Sequence, residues 1–315
     1  MHFDTLLGND RLKQNLAESL AKNHISHFYL ISGPRGSGKR TLAVLLAQAI
    51  LCQGSRKPCG SCESCRKINS KNHPDFITVE DPEHKNVAVR IVRQFREDVF
   101  IRPNESDYKV YLFPQDLGAE GQNALLKILE EPPKYGVFLL LTDNPEKILP
   151  TVRSRCTELK MLALDQTLLR TCLSARHPDA SAEDVAAAAL RSGGFLGQAL
   201  ELLESGGAVP PQTEGFVKAL CTQDPLLLAL TLVPMEKWKR DALSEILQSW
   251  LELTEEALAE RSGRPALFPL ARTLSRHRTP GELLGISRTL KKANDYTMSN
   301  VSPAAVCGWL IWALR

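Results

Sequence analysis

The sequence predicts an α/β fold built on a parallel sheet, followed by a region that consists of helices. Strand-like and helix-like segments alternate from the start of the chain to about residue 160. After that point the β-rich runs disappear, and apolar residues recur at helical spacing. Alternating strands and helices imply crossover connections, so we expect a parallel sheet with helices on both faces.

The elements of the first region follow one another in short segments. The predicted strands are the β-rich runs HFYLIS, DFITVE, YKVYLF and YGVFLLLT. The predicted helices repeat their apolar residues every three or four positions: DRLKQNLAESLAKN, KRTLAVLLAQAILC, VAVRIVRQFREDVF and AEGQNALLKILEE. Pro132 and Pro133 end the last of these helices, because proline lacks the amide hydrogen that a helix needs.

Beyond the sheet region, the chain divides again. AEDVAAAALRSGGFLGQALELLESGG contains two short helical patterns separated at Gly193 and Gly194, and GGAVPPQTEG is typical of a linker. The 315 residues exceed one ordinary domain, so we predict three, at 1–160, 161–207 and 208–315.

Composition places the protein among soluble globular proteins, with 43% hydrophobic and 24% charged residues. The N-terminal segment lacks the basic start and apolar run of a signal peptide, and no apolar run is long enough to span a bilayer. We therefore expect a cytoplasmic protein without membrane association. The net charge of +3 permits contact with nucleic acid but does not by itself indicate it.

A phosphate-binding loop is predicted between HFYLIS and the helix that follows it. Gly33–Lys39 fit the pattern GxxxxGK, in which Gly33, Gly36 and Gly38 let backbone amides turn toward a phosphate. Lys39 would reach the β- and γ-phosphates of ATP or ADP. The alternative interpretation is a glycine-rich turn that binds no ligand.

Two departures weaken the case for hydrolysis at this loop. The residue after the lysine should carry a hydroxyl that binds Mg²⁺, but it is Arg40, with Thr41 one position later. The strand YKVYLF should be followed by an acidic residue, but Pro114 and Gln115 come first and Asp116 only afterwards. We therefore expect a degenerate phosphate loop.

Four cysteines lie within fourteen residues, at Cys52, Cys59, Cys62 and Cys65. Tetrahedral Zn²⁺ favours four thiolates held by tight turns, and this spacing predicts a closed, structural zinc site. A redox pair or free thiols are the alternatives, and they explain the clustering less well.

The order of these motifs resembles the AAA+ subunits of bacterial DNA polymerase III clamp loaders. The likeness rests on HFYLISGPRGSGKRTLA, the four cysteines, HPDFITVE, NALLKILEEPP and NPEKILPTVRSRC. It implies an AAA+ domain with an inserted zinc module, a small helical domain and a helical collar domain that oligomerises. The resemblance is dense in the first half of the chain and loose beyond it.

Two branches of that family differ in their chemistry. The gamma and tau subunits are ATPases with an Asp-Glu pair after the second strand, whereas delta-prime subunits close one side of the ring. Pro114 and Gln115 stand at the position of that pair, and Gly197 stands where the motor subunits have an arginine that touches the γ-phosphate. We therefore predict a delta-prime-like subunit within a DNA-directed DNA polymerase holoenzyme, with no ATPase activity of its own.

The resemblance assigns a different role to Arg155, in the sequence SRC. In the family this arginine acts as a finger on the ATP of a neighbouring subunit, so the expected partners are gamma/tau and delta, with the sliding clamp and primed DNA reached through the assembly. On sequence alone, a surface or salt-bridged residue near a strand end is the better interpretation of Arg155, and the resemblance reverses this order. The rival functions are an active motor that uses Asp116 and a scaffold that binds no nucleotide.

Overall fold

The structure is a computed structural model that describes residue 3 and residues 5–84, 86–204, 210–264, 266, 268–299 and 301–314, with residue 241 described by its backbone alone. The chain forms two compact units, Met1–Ser205 and Gly206–Arg315. The further division of the first unit near residue 160 stays a prediction.

Five parallel strands form the sheet of the first unit. The strands are β1 Phe28–Ser32, β2 Phe76–Thr78, β3 Lys109–Phe113, β4 Gly136–Thr142 and β5 Thr157–Lys160. Their order across the sheet is β2-β3-β4-β1-β5. Because consecutive strands of one direction need crossovers, helices lie between them in the chain. The predicted fold class, a parallel α/β sheet followed by helices, is confirmed.

The described part of this unit has nine helices, six of which the apolar periodicity of the sequence predicts. They are α1 Asp10–Ala21, α2 Lys39–Leu51, α3 Glu63–Asn69, α4 Val89–Asp98, α5 Ala119–Glu130, α6 Pro150–Arg153, α7 Gln166–Arg176, α8 Ala182–Arg191 and α9 Leu196–Glu204, with a 3₁₀ turn at Pro145–Lys147. Gly193 and Gly194 separate α8 from α9 with φ angles of 58° and 89°, as their sequence predicts.

The two faces of the sheet contact different cores. Successive side chains of a strand point to opposite faces, so Phe28 and Leu30 join one hydrophobic cluster while Tyr29 and Ile31 join the other. The first cluster includes residues of α4 and α5, and the second includes residues of α2. Both faces of β1 are therefore buried, which explains why its sequence is apolar and does not alternate with polar residues.

The sequence did not predict β5, whose residues are Thr-Glu-Leu-Lys. Only Leu159 of this strand is buried, and it lies at the edge of the sheet beside β1. An edge strand needs few apolar residues, because one side of it pairs with no neighbour. Its backbone pairing with Tyr29–Ser32 holds it in the sheet, and that pairing leaves no pattern in the sequence.

The second unit is helical, as predicted. Its helices are α10 Pro211–Thr222, α11 Pro225–Leu232, α12 Arg240–Arg261, α13 Pro269–His277, α14 Pro280–Met298 and α15 Pro303–Ala313, with a 3₁₀ turn at Val233–Lys237. Residues 206–209 of the predicted linker lie outside the described residues, and from Pro211 onward the predicted linker is wrong, because α10 begins there. In the part of the chain that the structure describes, no helix has the length and apolar character of a membrane span.

A stacked aromatic pair lies at the centre of the second unit. The rings of Phe216 and Trp250 are parallel within 3° and their centroids are 4.0 Å apart. Trp250 is fully buried, and its indole N–H donates to the hydroxyl of Thr213 at 2.9 Å. The hydroxyl therefore satisfies a donor that has no access to water.

Replacing Thr213 with valine keeps the side-chain shape but removes the acceptor for Trp250. We expect the free energy of unfolding of this unit to fall by about 1–3 kcal/mol, because a buried donor is left unpaired. Urea denaturation followed by tryptophan fluorescence measures this unit directly, since all four tryptophans lie beyond residue 206. Thr222→Val, at an exposed position on the same helix, is the control; equal urea midpoints for the two variants would contradict the expectation.

Candidate functional site

The predicted phosphate loop connects β1 to α2. Gly36 and Gly38 have φ angles of 75° and 90°, which side-chain-bearing residues rarely adopt. Gly38 is also the N-cap of α2, so the loop leads into a helix start whose first amides can face an anion. A cleft of about 520 Å³ borders the loop, and residues of α9 line its other side.

Lys39 has three short contacts in this structure. Its ammonium group donates to the carbonyl oxygens of Gly33 at 2.6 Å and Pro34 at 2.9 Å. It also pairs with the carboxylate of Asp143 at 2.6 Å. The ammonium group of Lys39 is therefore bonded to carbonyl oxygens of its own loop, and an acidic residue that follows β4 neutralises its charge.

Arg40 and Thr41 follow Lys39 at the start of α2. Both are exposed and border the cleft. A guanidinium cannot bind a cation, because it has five donors, no acceptor and a permanent positive charge. The position next to the phosphate loop thus has the wrong chemistry for a magnesium ligand, as its sequence predicts.

The end of β3 directs its polar side chain away from the phosphate loop. Pro114 borders the cleft. The side-chain oxygen of Gln115 accepts from the amide of Asp81 at 2.7 Å, and its nitrogen donates to the carbonyl oxygens of Asp81 and His84, both at 2.9 Å. Gln115 therefore cross-links β3 to the segment that precedes α4.

Asp116 is the alternative acid at this edge of the sheet. Its carboxylate accepts from the hydroxyl of Thr142, the last residue of β4, at 2.9 Å. Its carbonyl oxygen accepts from the amide of Val87 at 3.2 Å. Asp116 is not among the described residues that border the cleft. A magnesium ion at Asp116 would compete with Thr142 for this carboxylate.

Gly197 lies directly against the apex of the phosphate loop. Its amide donates to the carbonyl oxygen of Gly36 at 2.9 Å, and Arg35 forms an ion pair with Glu201 on α9 at 3.3 Å. A methyl group on Gly197 would lie 2.6 Å from the Cα atom of Gly36. An arginine at position 197 is therefore incompatible with this arrangement of α9.

The four clustered cysteines come together as the spacing predicts. Their sulfur atoms all lie within 4.8 Å of one another, with 3.8 Å between Cys52 and Cys62 and 4.0 Å between Cys59 and Cys65. Four sulfurs at about 2.3 Å from a tetrahedral ion are separated by about 3.8 Å. The cluster therefore has the size and donor set that fit a metal ion.

Backbone amides surround these sulfur atoms. The amides of Gly54 and Cys59 donate to Cys52, that of Cys62 to Cys59, and that of Cys65 to Cys62, at 3.2–3.4 Å. Donors aimed at sulfur stabilise thiolates, and the backbone amide of Ser61 above all lowers the pKa of Cys59 to about 6. Burial raises the pKa of Cys65, a cost that a coordinated cation would offset.

Arg153 and Arg155 differ in how they are held. The guanidinium of Arg153 bridges two carboxylates, Glu146 at 2.9 Å and Glu158 at 3.3 Å. Arg155 pairs at 3.4 Å with Glu130, at the end of α5, and its other nitrogen donates to the carbonyl oxygen of Thr151 at 2.9 Å. The two side chains are about equally exposed, at 37% and 40%, so the single, longer ion pair is what leaves Arg155 the more available of the two.

Sequence reasoning missed two parts of the site. Asp143 was not singled out, although it directly follows a strand that the apolar run YGVFLLLT predicts. The position of Asp143 beside Lys39 depends on β4 pairing with β1, which no local pattern reveals. The ion pair between Arg35 and Glu201 joins residues 166 positions apart and has no sequence signal.

A model of the family described as "DNA polymerase III, delta subunit" matches residues 8–165, half of the 315 residues. The chain belongs to the DNA polymerase III delta-subunit family. The matched segment of this family member includes the phosphate loop, the four cysteines and Arg155, and it ends where the helices of 161–207 begin.

Two relatives show how far sequence likeness extends. Subunit tau/gamma of DNA polymerase III from Haemophilus influenzae is 37% identical over 169 residues, 52% of this chain and 24% of its own length. Subunit delta' of DNA polymerase III from Bacillus subtilis is 36% identical over 152 residues, 47% of this chain and 46% of its own length. The family member described here therefore matches less than half of either relative.

A solved structure is similar over most of the chain. The gamma-subunit-related protein of DNA polymerase III from Thermotoga maritima covers 96% of this chain, with 98% of its own chain matched. The TM-score is 0.44 and the sequence identity 16%. No correspondence between individual residues follows from a likeness of this size.

Replacing Gln115 with glutamate introduces an acidic residue after β3, yet we expect it to destabilise the segment around Asp81 and His84. The variant loses the amide group that donates to two carbonyl oxygens and places a negative charge beside them. We expect the free energy of unfolding of this segment to fall by about 1–3 kcal/mol. Hydrogen exchange of residues 79–92 should accelerate more in Gln115→Glu than in Gln115→Met, which removes the bonds without adding charge. Unchanged protection in both variants would show that Gln115 does not hold this segment.

Proposed function

We propose that this chain is a delta-prime-like clamp-loader subunit of DNA polymerase III that does not hydrolyse ATP itself. It provides Arg155 to the ATP site of a neighbouring gamma/tau subunit, and in an assembly with delta it helps to load the sliding clamp on primed DNA. The small helical region at 161–207 and the collar at 208–315 complete the subunit. The relatives named tau/gamma and delta' support this assignment to a clamp loader.

The observation that carries the proposal is the side chain of Gln115, which binds the segment at Asp81 instead of facing the phosphate loop. A hydrolase needs a carboxylate at this edge to hold Mg²⁺ and orient water. Arg40 and Gly197 add two further departures at the same cleft. Loss of three contributions from three different segments supports loss of turnover more strongly than any one of them.

Arg155 supports the other half of the proposal. A guanidinium stabilises the charge that develops on a transferring phosphate, because it is planar and permanently charged. Its single carboxylate partner, Glu130, is itself more than half exposed, so the pair costs little to separate. Arg153, bridged between two carboxylates, is the less suitable of the two arginines for this role.

We also propose that the four cysteines bind one structural Zn²⁺. All four coordination positions would be filled by Cys52, Cys59, Cys62 and Cys65, so no position would remain for a substrate. The ion would fix the segment between α2 and α3 by joining Cys52 to the three later cysteines. Its contribution is therefore to folding rather than to catalysis.

The arginine role can be tested in the reconstituted assembly. Arg155→Ala should leave the complex assembled but slow ATP hydrolysis at the partnered site by about 10³-fold or more in the presence of DNA and clamp. Arg155→Lys should also be slow, because an ammonium keeps the charge but not the planar pair of donors. Full hydrolysis by Arg155→Ala would contradict the proposed role.

Arg102→Ala is a suitable control for this experiment. Arg102 is an exposed arginine in the segment before β3, so its removal changes the net charge of the chain equally. Hydrolysis by the Arg102→Ala complex should equal that of the unchanged complex. The purified subunit alone should not turn over ATP; turnover that depends on Lys39 would contradict the loss of its own activity.

The metal proposal predicts one zinc ion per chain by elemental mass spectrometry. Cys59→Ser should lose the ion and lower the melting temperature of the first unit, because the segment between α2 and α3 would lose its cross-link. Cys172→Ser is the matched control, since Cys172 lies on α7 and is not one of the four clustered cysteines. A metal-free native protein with an unchanged melting curve would contradict the proposal.

A further inference from the structure

The lysine of the phosphate loop is already paired with an anionic group, the carboxylate of Asp143. An ammonium group has three N–H donors. For Lys39 these meet the carbonyl oxygens of Gly33 and Pro34 and the carboxylate of Asp143, all within 2.9 Å. A phosphate oxygen could bind Lys39 only by displacing one of these three acceptors.

Asp143 is the acceptor that a phosphate would displace. The two carbonyl oxygens belong to the loop backbone. The side chain of Asp143 is 60% exposed, whereas the side chain of Lys39 is 11% exposed. A carboxylate presents the same kind of charged oxygen to Lys39 as a phosphate does. Its negative charge also repels a phosphate that approaches the same cation.

The apex of the loop has a second restraint. The carbonyl oxygen of Gly36 accepts from the amide of Gly197, and Arg35 pairs with Glu201. A methyl group on Gly36 would lie 2.5 Å from the amide nitrogen of Gln198. The loop apex and the start of α9 are therefore packed backbone against backbone, without room for a ligand atom between them.

The hydroxyl group of Ser37, in the phosphate loop, has no hydrogen-bond partner in this arrangement among the described residues. The hydroxyl oxygen of Ser37 is shielded from solvent and finds no hydrogen-bond partner among the described residues. Unpaired buried polar atoms are uncommon, and a phosphate-binding loop is a place where an incoming oxyanion could pair with one. The hydroxyl of Ser37 is therefore a donor that the closed loop leaves unpaired among the described residues.

We infer that Asp143 and the start of α9 together hold the phosphate loop closed, so that a nucleotide phosphate binds only when both are released. Asp143 acts as an internal substitute for a phosphate oxygen, and the contact between Gly36 and Gly197 keeps the apex against α9. The inference rests on the proposed function only in treating the loop as one that does not turn over ATP.

Calorimetric titration of the full chain with MgADP tests the inference. Asp143→Asn removes the competing charge and keeps the side-chain shape, so the affinity should rise about tenfold or more, a factor of ten being about 1.4 kcal/mol. Gly197→Ala forces α9 away from Gly36 and should add to the gain. The combined variant should bind most tightly and show faster hydrogen exchange at residues 34–38.

Two controls identify the site of binding. Asp107→Asn makes the same change of charge at an exposed position before β3, and its affinity should equal that of the unchanged chain. Adding Lys39→Ala to the combined variant should abolish the gain. Circular dichroism and zinc content show that each variant is folded.

Two outcomes would overturn the inference. One is a combined variant that binds MgADP no more tightly than the unchanged chain, which includes the case in which neither binds. The other is a gain in affinity that survives Lys39→Ala, because the nucleotide would then bind elsewhere. Both measurements use the isolated chain, so they are independent of the Arg155 experiment in the assembly.

Discussion

The parallel pairing of β1 with β4 is the constraint on which the candidate site depends. Ser32 pairs with Thr142, so the residues that follow the two strands, Gly33 and Asp143, begin at the same level of the sheet. The amide of Gly33 extends this ladder by donating to the carbonyl oxygen of Thr142 at 3.2 Å. A slip of one residue would turn the apolar side chains of β1 to the opposite faces and separate Asp143 from the phosphate loop.

The pairing of β3 with β4 places Asp116 beside the end of β4. Phe113 pairs with Leu140, so the chain leaving β3 passes Thr142, where Asp116 forms its hydrogen bond. β4 lies between β3 and β1, and Pro114, which directly follows β3, still borders the cleft beside Lys39. Asp143 directly follows β4 and pairs with Lys39 at 2.6 Å, whereas the carboxylate of Asp116 pairs with Thr142.

Local patterns in the sequence predicted much of this molecule. The phosphate loop and the cysteine cluster consist of neighbouring residues, so their spacing in the chain limits their geometry in space. The edge strand at Thr157–Lys160 and the contacts of Gln115 depend instead on partners that lie tens of residues away. Single-sequence reasoning has no access to such pairings, because their stabilisation comes from tertiary contacts. Gly197 was identified through a resemblance, but its packing against Gly36 required coordinates.

The contact between two glycines also limits how the protein can change over evolutionary time. Any side chain at position 197 would bring its Cβ atom within 2.6 Å of Gly36, so the first step toward an arginine there is a steric clash. A larger residue at position 197 therefore has to move α9 away from the loop in the same step. Substitution at either glycine is in this way coupled to the placement of a whole helix.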